Sequence, residues 1–421
     1  MPDPVSHKRK DPKRLYRLSK SPVFGRLAVV NHFKSAVSKV DPRGEYPKLS
    51  LFLSRRLWTW IWQYIKNLGP RTKFRTYENA PHNGVYQLKP APGASRIQIA
   101  LAGDWGTGTD EAAKIATLMS ATNPDLTLHL GDVYYVGNKS EIEENFLGRK
   151  NPDFLPVKWS HGAQGSFSLI GNHELYAGGG PYYTVLLPTL GMNGQKQLAS
   201  FFCLELDHWR ILALDTGYNS SGWPILSQIP GIKNIPIVGG DCHLEKPVLD
   251  WLRTQVAPDK NKKATLILSH HQYLTAFPGE QEYPRAAQQI AEFFKDQEVL
   301  WIWGHEHRLA FYNRVTTPEW LTFYGRCVGH SGMPVEPATP DLSKGTLLCY
   351  DGDPNRTHKL DDGTVVGQNG FVNLTFEGTD LTLDYRDIDN IQLLVERFTP
   401  NADGTLQRTV VTDPAVLWSP H

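Results

Sequence analysis

Gly131-Asp132-Val133-Tyr134-Tyr135 is the stretch from which the fold can be read. It follows an apolar run, Leu126-Thr127-Leu128-His129-Leu130, that reads as a buried strand. A strand ending in Gly-Asp carries a carboxylate over the C-terminal edge of a sheet, where open α/β folds bind their ligands. A single edge of this kind is usually a turn. Here the pattern recurs in Ala100-Leu101-Ala102-Gly103-Asp104, Leu169-Ile170-Gly171-Asn172-His173, Leu266-Ile267-Leu268-Ser269-His270 and Trp301-Ile302-Trp303-Gly304-His305-Glu306-His307. Any one of these donors is more often a turn or a hydrogen-bonded core residue than a ligand. Six of them (Asp104, Asp132, Asn172, His270, His305, His307), all just past apolar strands, describe a metal site at the rim of a sheet.

From Arg96 onward, strands alternate with helical patterns. A helix is expected over 110–120, a hairpin over 201–214, helices near 244–257 and 284–296, and strands at 265–270 and 299–303. The tail changes character. Phe371–Phe376, Leu381–Tyr385 and Ile391–Phe398 are short alternating strands without helices between them, expected to complete a second sheet packed on the first. The fold class is therefore α/β, with residues 96–412 as the metal-binding domain and 1–95 as an extension packed on its core.

Within 1–95, residues 1–70 hold fifteen Lys and Arg against four Asp and Glu, so they carry +11 and leave −10 for the rest of a chain of net charge +1. Nothing global favours a nucleic-acid partner. Residues 49–68 have helical spacing, with Leu51, Leu57, Trp58, Ile61, Trp62 and Ile65 on one face. A helix packed on the core is the favoured reading, and a membrane-surface helix is the alternative. Residues 69–95 read as a connector. No signal-peptide core and no apolar run of membrane-spanning length is found, and the four scattered cysteines make no Cys-x-x-Cys pair. The expected setting is cytoplasmic, with reduced buried thiols.

The ordered blocks resemble the calcineurin-like metallophosphoesterases. The most specific are Gly171-Asn172-His173-Glu174 and Gly304-His305-Glu306-His307. Most members carry Asp-x-His in the first block, whereas this chain has Gly103-Asp104-Trp105-Gly106. Tyr135, three residues after Asp132, offers a replacement, and that combination is similar to the purple acid phosphatase branch. The resemblance implies a four-layer αββα sandwich of two mixed sheets with a dinuclear metal centre. It puts Asp104, Asp132, Tyr135 and His307 on the first ion, and Asp132, Asn172, His270 and His305 on the second. It also implies Fe3+ at a tyrosinate site and Fe2+, Zn2+ or Mn2+ beside it. Tyrosine has a pKa of ~10, so binding it as phenolate at neutral pH calls for a strongly acidic cation.

The activity so implied is hydrolysis of a small phosphate monoester by metal-bound hydroxide, with His173 protonating the leaving oxygen and Glu174 orienting the His173 ring. A phosphodiesterase on the same metals is the alternative, and the insert 217–243 could shape a pocket for it. A metal-stabilised scaffold recruited through its basic segment is the rival of another class. The branch usually carries a further His beyond the position of His270, and none occurs between His271 and Gly304. His271, Tyr273 and Glu280 are the candidate substitutes, and Gln272 replaces the usual Pro. Asn172, His271 and His330 are the expected substrate contacts.

Overall fold

A computed structural model of the chain describes residues 71–149, 157–220, 240–335, 337–359, 365–412 and 417. Most of the basic extension, including the helix expected over 49–68, lies outside these residues, as does most of the 217–243 insert.

Arg96–Ala102, Leu126–His129 and Gly165–Ser168 lie side by side as parallel strands in a nine-stranded sheet. Ala264–Ser269 and Glu298–Trp303 are likewise adjacent and parallel in an eight-stranded sheet. These strands are buried along nearly their whole length, as expected of parallel strands covered on both faces. Between the sheets lies a core that includes Leu101, Leu128, Phe167, Ile211, Leu268, Ile302 and Leu374. The outer face of the larger sheet packs on Ile115 and Met119 of a helix, and that of the smaller one on Leu252 and Ile290. The expected α/β sandwich of two mixed sheets is what the chain forms.

Local signals set the helix ends. Thr109 caps Asp110–Ala121 by accepting from the Ala112 N–H, and Asp110 and Glu111 face the positive end of the helix dipole. Asn138 and Glu141 make a reciprocal capping box for Lys139–Asn145. Lys246–Trp251 continues as a π turn over Leu252–Val256, and Arg285–Ile290 as a 3-10 turn to Phe294.

Two expectations need correction. The tail strands form no sheet of their own. Gly370–Glu377 pairs antiparallel with Arg96–Ala102, and Asp380–Asp387, Gln392–Pro400 and Leu406–Thr412 extend that same sheet outward. The edge of the first strand was open because the parallel strands grow only from its other side. Residues 71–95 are also more than a connector, so the folded unit begins before residue 96. Val85–Gln87 pairs parallel with Phe202–Glu205 at the edge of the smaller sheet, and Arg71 Nη1 donates to the Tyr218 carbonyl at 2.6 Å. Three residues with Pro and Gly around them are too short for a periodic signal. Among the described residues, no helix is long and apolar enough to cross a membrane.

Candidate metal centre

The two sets of parallel strands end at the same rim, so their candidate ligand residues meet in the seam between the sheets. Asp104, Asp132 and Asn172 come from the larger sheet, and His270, His305 and His307 from the smaller. Hydrogen bonds tie the seam together: His270 Nδ1 meets the Leu130 carbonyl at 2.8 Å, and the His305 N–H donates to Asp104 Oδ2 at 2.8 Å. Asp104, Asp132 and His305 all take left-handed backbone conformations, with φ of 57°, 75° and 65°. Such conformations cost energy outside glycine, and they turn each side chain sharply off its strand. Gly171 is required for a different reason, since a Cβ there would lie 2.0 Å from Asp132 Oδ1.

Asp132 is the centre of the arrangement. Its Oδ2 accepts from the Tyr134 hydroxyl at 3.0 Å and lies 3.3 Å from His270 Nε2 and 3.8 Å from His173 Nε2. Its Oδ1 accepts the His173 N–H at 3.0 Å. On one side the Tyr134 hydroxyl reaches Asp104 Oδ1 at 2.8 Å and His307 Nε2 at 3.2 Å. On the other, Asn172 Oδ1 lies 3.1 Å from His270 Nε2. Ligand atoms of Asp104, Asp132 and His270 fall within 4.8 Å of one another, as do those of His270, His271 and His305.

Burial drives the Asp104 carboxyl up to about 7. Burial also opposes ionisation of Asp132, but His270, His173 and His305 outweigh it and hold that carboxyl well below its usual range. Burial alone would lower His270, and the Asp132 carboxylate beside it lifts it to about 9. Two buried carboxylates with imidazole, amide and phenol donors around them are costly unless compensated by positive charge. This donor set fits hard or borderline cations.

Of the expected ligands, Asp104, Asp132, Asn172, His270, His305 and His307 converge. The hydroxyl that the structure brings among these donors is that of Tyr134, while the Tyr135 ring lies 5.8 Å from that of His173. Val133 is pinned by a parallel bridge to Gly106 and by its N–H to Glu174 Oε1 at 2.7 Å, and the chain turns directly after it. Past this turn the Tyr134 hydroxyl is the one that points at Asp104, Asp132 and His307. Tyr135 contributes its carbonyl, which meets His173 Nδ1 at 2.6 Å. That contact orients the ring, a task expected of Glu174. Glu174 instead accepts the N–H groups of Gly171, Val133 and Asp132 at 2.8, 2.7 and 3.3 Å, fastening two ligand loops together.

His271 sits beside the second set of ligands, its ring 4.4 Å from that of His305 and its Nδ1 3.2 Å from Thr216 Oγ1. Its fellow candidates lie elsewhere. Tyr273 packs on Trp301 and Phe323, and Glu280 pairs with Arg308 at 3.1 Å. His330 is not brought to the cluster: it is buried against Gly370, where a Cβ would lie 2.5 Å from its Nε2. Its strand ends at the same rim, and its ring lies beside the first residue of the strand Gly370–Glu377. Sequence reasoning missed Tyr134, Thr216, Tyr176 and Tyr283. The Tyr283 ring lies 5.1 Å from that of His271, across a loop that carries no periodic signal for the contact.

Residues 97–309 match the Calcineurin-like phosphoesterase family, and the chain belongs to it. Among solved structures, it is similar to GAP50, the anchor in the inner membrane complex of Plasmodium, at 11% identity over 74% of this chain and 91% of that one, with a TM-score of 0.41. PhoD overlaps at 13% identity over 77% and 74% of the two chains, with a TM-score of 0.42. A dimetal phosphatase from Danio rerio overlaps at 13% identity over 69% and 96%, with a TM-score of 0.40. No curated protein matches the chain.

Proposed function

We propose that this calcineurin-like phosphoesterase is a phosphomonoesterase with a dinuclear centre. The observation that carries the dinuclear centre is the Asp132 carboxylate, set between Tyr134, Asp104 and His307 on one side and His270 and Asn172 on the other. Asp104, Asp132, Tyr134 and His307 would hold the first ion, and Asp132, Asn172, His270 and His305 the second. When bound, such a pair clamps a phosphoryl group and activates water for in-line attack.

The chain's own groups do the rest. His173 faces the cluster with Nε2, and its Nδ1 hydrogen is committed to the Tyr135 carbonyl, which can only accept. It therefore protonates the leaving oxygen from Nε2 as the imidazolium, a contribution of about 10²–10⁴-fold. His271, with Thr216 on its Nδ1, stands next to the second ligand set as a substrate contact. Glu174 keeps the Asp132 and Asn172 loops in register, so the ligands are placed before substrate arrives.

We further assign Tyr134, in place of Tyr135, as the tyrosinate of an Fe3+ site, with Fe2+, Zn2+ or Mn2+ as its neighbour. Its hydroxyl already lies among three of the first ion's other donors. A cytoplasmic setting is supported by the four cysteines, all free and buried.

Comparing a phenyl phosphate monoester with its diester tests the substrate class. Preference for the monoester by kcat/KM is expected, and preference for the diester overturns it. The visible spectrum of the oxidised protein tests the tyrosinate: the band should vanish in Tyr134→Phe and persist in Tyr135→Phe. The opposite pattern would restore Tyr135, and a colourless metal-replete protein would exclude the ferric site.

A further inference from the structure

Asn172 opens the single helical turn Asn172–Leu175, and its amide is engaged at both ends. Oδ1 faces His270 Nε2 at 3.1 Å, while Nδ2 donates to the Tyr176 hydroxyl at 2.9 Å. The two ends of an amide are opposite in kind: the oxygen can ligate a cation, and the NH2 group can only donate. They are also nearly equal in size, so packing alone does not choose between the two orientations. The group that accepts the NH2 does. Tyr176 stands four residues on, close to the face from which Asn172 projects. Asn172 is buried, so its NH2 would be costly to leave without an acceptor. The Tyr176 ring also packs 4.8 Å from that of His173, which keeps it from swinging away from the amide.

We propose that Tyr176 is a positioning residue for the second metal: its hydroxyl accepts the Asn172 NH2 and so fixes the amide oxygen toward the ion. This rests on the reading of Asn172 as a ligand. Partners of this kind, one bond removed from a metal, typically contribute about 10–100-fold in affinity.

The test uses the full chain, stripped by chelator and dialysed to equilibrium against Zn2+ alone, and reads the affinity of the ion that Asn172→Ala weakens. Tyr176→Phe keeps the ring and removes the hydroxyl that accepts from the amide, and it should weaken that ion by at least about tenfold. Asn172→Asp presents oxygen at both ends, so no orientation remains to be chosen. In that background, Tyr176→Phe should change the affinity by less than about threefold. Unchanged affinity in Tyr176→Phe would overturn the inference. An equal loss in both backgrounds would overturn it too, because Tyr176 would then act through the fold and not through the amide. If Asn172→Ala itself binds two ions as tightly as the natural chain, the ligand reading fails and takes the inference with it.

Discussion

At Arg326 and Glu396 a buried carboxylate meets guanidinium groups, whereas at Asp104 and Asp132 buried carboxyl groups meet mainly imidazole and phenol. Arg326 and Glu396 are both fully buried, and they pair through two bonds of 2.6 and 2.8 Å. Arg408 adds a third bond at 2.6 Å and the Tyr385 hydroxyl a fourth at 2.9 Å. Burial works against the Glu396 carboxylate, but Arg326 outweighs it and keeps its pKa below the usual value. Burial drives Asp104 the other way, up to about 7. Both regions put carboxylates in the interior. One is complete in its own side chains, and the other is a donor set that a cation completes. That difference separates a structural ion pair from a metal centre.

Substitutions should divide along the same line. Asp132→Ala removes the residue common to both ligand sets, so metal analysis should find neither ion retained and turnover should fall by at least about 10³-fold. Retention of two ions would break the comparison. Glu396→Ala should instead leave two ions bound while costing about 3–5 kcal/mol in a denaturation midpoint, because Arg326 is left charged and unpaired. A loss of metal in that variant would show that the two regions are not independent. Chelation should lower the stability of the natural chain by about 3–4 kcal/mol for each ion lost, relative to metal at 100–1,000 times its Kd, and that of Asp132→Ala hardly at all. Equal effects on the two would place the stabilising ion elsewhere.

Asp215 sharpens the contrast, since it is a buried carboxylate with hydroxyl and amide partners only. Ser200 donates its hydroxyl to Oδ2, and the Tyr218 N–H donates to Oδ1 at 2.8 Å. Burial pushes its carboxyl up to about 7. Folding therefore favours the protonated acid, and its contribution declines as pH rises from about 4, where the unfolded chain ionises, to about 7. Asp215→Asn should gain stability relative to the natural chain between pH 5 and pH 7.5. A constant difference across that range would mean that Asp215 is ionised in the folded chain throughout.

Much of this was legible in the sequence because the site is built on strand ends. Apolar runs closing in Asp104, Asp132, His270 and His305 mark both the strands and their rim, and parallel burial keeps those runs unbroken. The helix expected over 110–120 from its periodicity is found at Asp110–Ala121. What the sequence hid depended on local turns and long-range contacts. Tyr134 and Tyr135 are the same residue type one position apart, and which one faces the cluster depends on the turn that follows Val133, held by contacts from Gly106, Glu141 and Asn145. Glu174 looks like a partner for its neighbour His173, but three backbone N–H groups from two loops claim it first. His330 follows an apolar strand as the ligands do, and its ring nonetheless turns to Gly370.

The most direct test of the dinuclear centre is anomalous diffraction from crystals of metal-replete protein, with data collected at the absorption edges of the bound metals. Two peaks about 3.5–4 Å apart, flanking the Asp132 carboxylate, are the expected result. A single peak, or a pair that Asp132 does not bridge, would contradict the account.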